Sequence, residues 1–101
     1  MKVRWTDKAK LHLKGIRDYI ASDSPKYAAR TIDLITRKGD GLRRFPMSGH
    51  AVPEYDDPAI RQVIEGNYRI IYRIREEAVE ILAVVHAARE LPSRETIESA
   101  G

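Results

Sequence analysis

The stretch from residue 68 to residue 86 constrains the fold most, because it predicts two β-strands joined by a short turn. Over residues 68–75, Tyr and Ile occupy one face and Arg occupies most of the other, a period of two that is typical of a strand. Residues 78–86 are apolar on both faces, which favours a central strand covered on both sides. Glu76 and Glu77 form the turn without the Gly or Asn that is common there. The rest of the chain must therefore cover a sheet.

Two amphipathic helices that precede this sheet are predicted to cover it. The first runs to about Ala21, and Thr6 or Asp7 can cap its start. The second starts at Ser24 and Pro25, a serine cap followed by proline at the first helical position. The short link between them predicts a helical hairpin whose apolar faces point to one core. Apolar or small residues recur at helical spacing in both segments, namely Ala9, Leu13, Ile16 and Ile20, then Ala28, Ile32, Ile35, Gly39 and Leu42.

One position in the second helix leaves two alternatives open. Gly39 costs about 1 kcal/mol in a helix interior relative to alanine. The helix therefore either frays near Lys38 or uses Gly39 for close packing.

The remaining segments complete the predicted topology. Residues 2–5 and 59–64 are short strand candidates, and residues 45–58 form a loop long enough to be functional. We expect a two-layer α+β domain of order β-α-α-β-β-β, with the helical hairpin packed on a mainly antiparallel four-stranded sheet. The strand at residues 2–5 is placed beside the strand at residues 78–86.

Composition fits a single soluble globular domain and excludes several classes of site. The chain has 101 residues, with 18 Lys and Arg against 15 Asp and Glu, and no Cys, so disulfides, thiolate zinc sites and cysteine nucleophiles are excluded. The three His residues are scattered and no phosphate-binding glycine loop is present, so neither a metal nor a cofactor is expected. No apolar run approaches the roughly 20 residues of a membrane span, and no signal-peptide core follows Met1. A cytoplasmic location is the expectation.

Arginines on the predicted outer face of the sheet are the main candidates for target binding. Arg69 and Arg73 share one face of a strand, Arg61 lies on the neighbouring strand, and Arg89 follows the last strand. Several guanidinium groups together form an anion site. Ordinary solvent-exposed arginines are the alternative. His86 shares the even-numbered face with Leu82 and Val84, which favours a partly buried, hydrogen-bonded histidine over a general base.

Apolar residues that lie off the helix stripes are candidates for partner binding. They are either flanks of the core or a groove for an amphipathic helix or an added strand. These residues are Trp5, Leu11, Tyr27 and Leu34.

An ordered series of short motifs resembles the RelE/ParE superfamily of toxins from toxin–antitoxin pairs, and most closely its ParE branch, also called plasmid stabilisation proteins. The resemblance covers about residues 2–92, treated as the core of a single domain over residues 1–101, with a C-terminal tail at 93–101. The motifs are Val3-Arg4-Trp5-Thr6, Tyr19-Ile20, Ser24-Pro25, Phe45-Pro46, Gly49, Pro53-Glu54, Ile60-Arg61, Tyr68 to Tyr72 and His86 to Arg89. Gly49-His50 departs from the Gly-Arg that is common in the family.

The resemblance implies a type II toxin that inhibits DNA gyrase by binding and is neutralised by a small ParD-like antitoxin. It implies contact with DNA only through the antitoxin, and no membrane association. The antitoxin's flexible acidic and amphipathic segment would wrap the toxin, and Trp5, Leu11, Tyr27 and Leu34 are the candidate contacts.

The related RelE branch, which cleaves messenger RNA on the ribosome, is the alternative. RNA cleavage needs a base, an acid and cations, for which Arg61, His86 and Arg89 are the candidates. The segment after Arg89 lacks the His or Tyr that such nucleases commonly carry there, and every Lys lies in the N-terminal half. These absences favour a non-enzymatic inhibitor. A binding module of the same fold without toxicity is the third hypothesis.

Overall fold

A computed structural model describes residues 1–99, so the last two residues of the predicted tail lie outside the described residues. No helix within these residues has both the length and the apolar character needed to cross a membrane. In chain order the elements are β1 (Lys2–Trp5), α1 (Asp7–Ala21), α2 (Pro25–Asp40), a 3₁₀ turn (Gly41–Arg43), β2 (His50–Ala51), β3 (Ile60–Glu65), β4 (Tyr68–Arg75), β5 (Ala78–His86) and α3 (Arg94–Glu98).

The sheet confirms the predicted α+β fold and adds one strand to it. Its order is β1-β5-β4-β3-β2, with β1 parallel to β5 and the other pairs antiparallel. The predicted count of four strands is wrong, because residues 50 and 51, inside the expected loop, pair with Gln62 and Arg61 of β3. A two-residue strand is too short to show a period of two.

Both predicted helix starts are confirmed. The Thr6 hydroxyl accepts a hydrogen bond from the Ala9 amide, and the Ser24 hydroxyl accepts one from the Tyr27 amide, each at 3.2 Å. These bonds satisfy amides that the first helical turn leaves free.

The structure decides between the two alternatives for Gly39. Helix α2 continues to Asp40, and a Cβ placed on Gly39 would lie 2.5 Å from Cζ2 of Trp5. The indole Nε1 of Trp5 donates to Asp40 Oδ1 at 2.9 Å. Because Gly39 has no side chain, the tryptophan ring of β1 can pack directly against the backbone of α2.

The turn between β4 and β5 is tight. Glu76 and Glu77 both have positive φ values, 52° and 64°, as a two-residue type I′ hairpin requires.

The helical hairpin covers one face of the sheet and forms the first core there. Tyr72 is fully buried in this core although it carries a hydroxyl. The buried members are Ala9, Ile35, Leu42, Val63, Ile70, Tyr72, Val79, Ile81 and Val84.

A second core covers the opposite face, which the sequence analysis assigned to outward arginines. The segment after β2 and helix α3 pack there, and the Tyr55 hydroxyl donates to the Pro92 carbonyl at 2.6 Å. Ile97, in the predicted tail, is fully buried. The C-terminal segment therefore belongs to the packed structure up to α3. The buried members are Val52, Tyr55, Ile60, Ile71, Leu82, Ala83, Val85 and Ile97.

A β-bulge in β5 changes which side chains face the helices. Ile71 lies opposite Ala83 while Tyr72 lies opposite Ile81, so Leu82 is an extra residue in the ladder. Leu82 packs into the second core, whereas His86 lies across from Tyr68 on the hairpin side. The prediction that His86 shares a face with Leu82 is wrong for this reason.

Candidate functional site

Arg69, a predicted target-binding residue, fastens the segment after β2 to the sheet. Its guanidinium makes a two-point contact with Glu54, at 2.7 and 2.8 Å, and its Nε donates to Gln62 Oε1 at 2.7 Å. The hydrogen bond from Arg69 lowers the pKa of the Glu54 carboxyl. With only 9% of Arg69 exposed, its charge is committed to contacts within the chain.

Arg73 is held in the same way, within a charge cluster that spans three neighbouring strands. Its Nε donates to Glu80 Oε1 at 2.9 Å, and Arg4 of β1 pairs with the other carboxylate oxygen. Glu80 is buried between these two guanidinium groups. A buried carboxylate needs such partners, because an unpaired charge in the interior is costly.

Arg61 lies on the hairpin side of the sheet and not with Arg69 and Arg73. In the register it faces Tyr72, whose ring is in the first core. Its Nη2 donates to the carbonyl of Gly49 at 2.7 Å and to that of Met47 at 3.3 Å, while its buried Nε has no hydrogen-bond partner among residues 1–99. The assumption that one face carries all the candidate arginines is therefore wrong.

The candidate nuclease residues are brought together only in part. Arg61 aligns with Tyr72 on β4, whereas His86 aligns with Tyr68, four residues away along the same strand. At about 3.4 Å per residue this separates them by roughly 14 Å along the strand direction alone. His86 and Arg89, by contrast, line one cavity.

That cavity, of about 730 Å³, lies between α1, the end of β5 and the segment that follows β5. His86 Nδ1 accepts from the Ala88 amide at 3.0 Å, and His12 Nδ1 accepts from the Val84 amide at 3.1 Å. Burial lowers the pKa of His12, and nearby Lys8 adds to the effect. Because Nδ1 accepts a hydrogen bond in each ring, the remaining donor is Nε2, which His86 can offer to the cavity. Within residues 1–99 no group of three or more potential metal-ligating side chains is found.

Three of the four predicted antitoxin contacts are exposed on the hairpin. Leu11 is 67% exposed, Tyr27 60% and Leu34 38%. Trp5 differs, because it is half-buried against Gly39 and bonded to Asp40. The structure therefore places Leu11, Tyr27 and Leu34 on an accessible surface and Trp5 within the β1–α2 packing.

An exposed apolar turn before β2 was not predicted from the sequence. Phe45 and Met47 are 68% and 62% exposed, and the buried Tyr72 hydroxyl holds the turn beneath them. Two large apolar residues in the part of the loop before Glu54, which contains no Asp or Glu, were the available signal. Tyr19, 79% exposed, was also missed, although its place two helical turns after Leu11 puts both on one side of α1.

Comparison with known proteins agrees with this architecture. A family model described as the ParE toxin of the type II toxin–antitoxin system parDE matches residues 3–91. Toxin RelE2 of Caulobacter vibrioides is 33% identical over 89 residues, which cover 87% of this chain and 97% of that protein.

Two solved structures have the same fold. One, from the chromosomal ParDE toxin–antitoxin system of P. aeruginosa, has a TM-score of 0.71 at 22% identity and covers 85% of this chain and 95% of its own. The other, from the toxin–antitoxin complex RelBE2 of Mycobacterium tuberculosis, has a TM-score of 0.62 at 26% identity and covers 87% and 92%. With the family match over residues 3–91, these likenesses show that the chain belongs to the ParE toxin family of type II toxin–antitoxin systems, within the RelE/ParE superfamily.

Proposed function

We propose that this toxin acts by binding its target rather than by cleaving it, and that the target is DNA gyrase. The separation of Arg61 from His86 and Arg89 carries the proposal, since RNA cleavage needs its acid, base and cations around one phosphate. The guanidinium of Arg61 is also occupied by turn carbonyls, and those of Arg69 and Arg73 by carboxylates. Arg89, exposed beside the cavity, remains a candidate for direct target contact.

A cognate ParD-like antitoxin is the proposed partner that neutralises the toxin. Leu11, Tyr27 and Leu34 offer apolar contact on the two helices, and the chain's net charge of +3 favours an acidic partner segment. Contact with DNA would be made by the antitoxin alone. The two proteins would meet in the cytoplasm.

A supercoiling assay tests the proposed target. Purified toxin added to gyrase and relaxed plasmid should block supercoiling as its concentration rises, and addition of the antitoxin should restore it. Arg89→Ala should need more protein for the same block, while Arg37→Ala, an exposed α2 arginine paired with Asp33, should match the wild type. Normal supercoiling with toxin in large excess would rule out gyrase as the target.

The antitoxin contacts are tested separately from target binding. Leu34→Ala and Tyr27→Ala should weaken the complex without altering the unfolding of the free toxin, because both side chains are exposed. Trp5→Ala should weaken the complex and also lower the free energy of unfolding of the free toxin, because Trp5 also packs on Gly39. Calorimetric titration with the antitoxin measures the first effect, and urea unfolding measures the second.

Ribosome-dependent cleavage of messenger RNA is the second candidate. His86, Arg89 and Tyr68 line one cavity, and the similar protein from C. vibrioides is named a RelE toxin. Primer extension on translated messages would then show cuts that disappear in His86→Ala and Arg89→Ala. Intact messages in growth-arrested cells would exclude this candidate. Failure of the protein to arrest growth at all would leave the third hypothesis, a binding module without toxicity.

A further inference from the structure

We propose that the turn at residues 45–49 is the surface with which this toxin contacts its target protein. Arg61 and Tyr72 then act as positioning residues that hold the turn, and they do not touch the target themselves. This inference rests on the proposed function only in that the toxin acts by binding a protein. It does not depend on that protein being gyrase.

The turn presents the residue types that protein interfaces favour. Phe45 and Met47 are large, apolar and mostly exposed, and the exposed Arg43 and Arg44 precede them directly. Aromatic residues, Met and Arg are the residues enriched in interface cores relative to the rest of the surface. Two exposed apolar side chains so close together on one turn mark a contact site more strongly than isolated ones do.

Hydrogen bonds fix the backbone of this turn from within and from below. The Ser48 amide donates to the Phe45 carbonyl at 3.0 Å, with Pro46 at the second turn position, where its fixed φ is favoured. From below, the Tyr72 hydroxyl donates to the Pro46 carbonyl at 2.7 Å and accepts from the Gly49 amide at 3.0 Å. Arg61 holds the Gly49 carbonyl as well. A turn fixed in this way loses little conformational entropy when it binds.

Gly49 shows how closely the turn is fitted to the sheet. A Cβ at this position would lie 2.5 Å from the Tyr72 hydroxyl and 2.5 Å from the Gln62 carbonyl oxygen. Both distances are shorter than any side-chain carbon tolerates, so the turn reaches its place only with glycine here.

The charge around the turn selects an acidic protein as the partner. Residues 41–53 include no Asp or Glu, while Arg43, Arg44 and His50 are exposed there. A pocket that accepts Phe45 and Met47 and carries carboxylates on its rim matches this pattern. A single-stranded nucleic acid fits less well, because such strands bind to successive aromatic platforms and the turn has one aromatic ring.

The test uses full-length protein and compares the contact residues, the positioning residue and a matched control. The contact variant is Phe45→Ala with Met47→Ala, the positioning variant is Tyr72→Phe, and the control is Ile64→Ala, which removes an exposed apolar side chain from β3. Growth arrest after induction reports on the target whatever its identity. Calorimetric titration with the antitoxin and urea unfolding show that each variant is folded.

We expect the contact variant to need at least about tenfold more protein for growth arrest, as loss of a central aromatic anchor does elsewhere, with antitoxin affinity unchanged. Tyr72→Phe should give a smaller loss of toxicity. Added to the contact variant it should give no further loss, because both changes act through the same contact. Tyr72→Phe should lower stability in either case, because the Gly49 amide and the Pro46 carbonyl lose a partner. A purely structural role for the hydroxyl would also lower antitoxin affinity, which a role confined to the target contact leaves unchanged.

The other outcomes separate the failure of this inference from the failure of the proposed function. Full toxicity of the contact variant would overturn it and leave the proposed function standing. Loss of antitoxin affinity in that variant would assign the turn to the antitoxin. Binding of a labelled single-stranded oligonucleotide by the wild type, lost in the contact variant, would assign it to nucleic acid. A wild-type protein that arrests growth without inhibiting gyrase would refute only the gyrase proposal. A wild-type protein that does not arrest growth would refute both the gyrase proposal and the target contact at the turn.

Discussion

Replacing Gly39 by alanine should reveal the close packing between β1 and α2. The added Cβ would lie 2.5 Å from Cζ2 and 2.8 Å from Cη2 of Trp5, against roughly 3.5 Å for a comfortable carbon contact. The indole cannot swing aside without losing its hydrogen bond to Asp40. Overpacking of this kind costs about 1–3 kcal/mol, and the better helix propensity of alanine returns about 1 kcal/mol. Gly39→Ala should therefore lower the free energy of unfolding by up to about 2 kcal/mol.

A Trp5→Phe background reverses the sign of that effect. Without the outer ring of the indole, Gly39→Ala should raise the free energy of unfolding by about 1 kcal/mol, the helix-propensity gain alone. Gly15→Ala in α1 is the matched control, because a Cβ there meets no atom of the described residues within 4 Å, and it should stabilise both backgrounds equally. Urea unfolding followed by far-ultraviolet circular dichroism measures all of these variants. If Gly39→Ala changed the free energy of unfolding by the same amount in the wild-type and Trp5→Phe backgrounds, the reasoning would be refuted.

Three further substitutions test other parts of the fold. Ile97→Ala should lower the free energy of unfolding, measured in urea, by about 2–4 kcal/mol, because α3 is part of the cooperative core. A change within experimental error would show that α3 detaches before the rest of the protein unfolds. Glu80→Gln should lower the free energy of unfolding by about 3 kcal/mol, because Arg73 and Arg4 lose the negative charge between them. High salt should recover part of that loss, because it screens the repulsion between the two guanidinium groups, and a loss that does not change with salt would contradict this reasoning. The pKa of His12 is lowered in the folded protein, so protonation of this ring favours the unfolded chain. The contribution of His12 to the free energy of unfolding is therefore complete above pH 6.5, the ordinary pKa of its ring, and is lost as the pH falls through the lowered pKa. His12→Gln should flatten that pH dependence, and an unchanged slope would exclude His12 as its source.

Much of the fold could be predicted because its longest elements have regular patterns. The bounds of β4 and β5 match the predicted strands at both ends, since apolar residues repeat there without interruption. Helix starts were also predictable, because Thr6 and Ser24 are residues whose side chains satisfy free amides, although the first cap was left open between Thr6 and Asp7. Strand β3 was shifted by one residue, from 59–64 to Ile60–Glu65, because a turn residue at a strand end has no pattern of its own.

The apolar residues on both faces of 78–86 indicated that this strand is covered on both sides, but the members of the second core outside β5 were not predictable in the same way. Ile97 is one apolar residue in a short polar helix, so periodicity gives no reason to bury it. Tyr55 lies between prolines and aspartates, where composition indicates solvent. Both residues are buried because the chain returns across the open face of the sheet, and only tertiary structure contains that information.

The structure gives partners within the chain to arginines that were predicted to bind the target. Arg69 and Arg73 were expected to face an external anion, but Glu54 and Glu80 approach them from a loop and from a neighbouring strand. Arg61 was placed on the wrong side because the register of β3 against β4 cannot be read from either strand alone. The exposed positions of Leu11, Tyr27 and Leu34 could be predicted, since helical spacing fixes the side of a helix on which a residue lies.

The extra residue in β5 gives the sheet one position at which the chain can lose a residue without exchanging its two surfaces. If Leu82 were deleted, Ile81 would still lie opposite Tyr72 and Ala83 opposite Ile71, so both halves of β5 would keep their partners. The imidazole would still meet Tyr68, and only the leucine side chain would be missing from the second core. A one-residue gap at position 82 in an alignment of relatives would therefore mark a regular ladder with the same cavity lining, whereas a gap elsewhere in β5 would turn the side chains beyond it to the other surface.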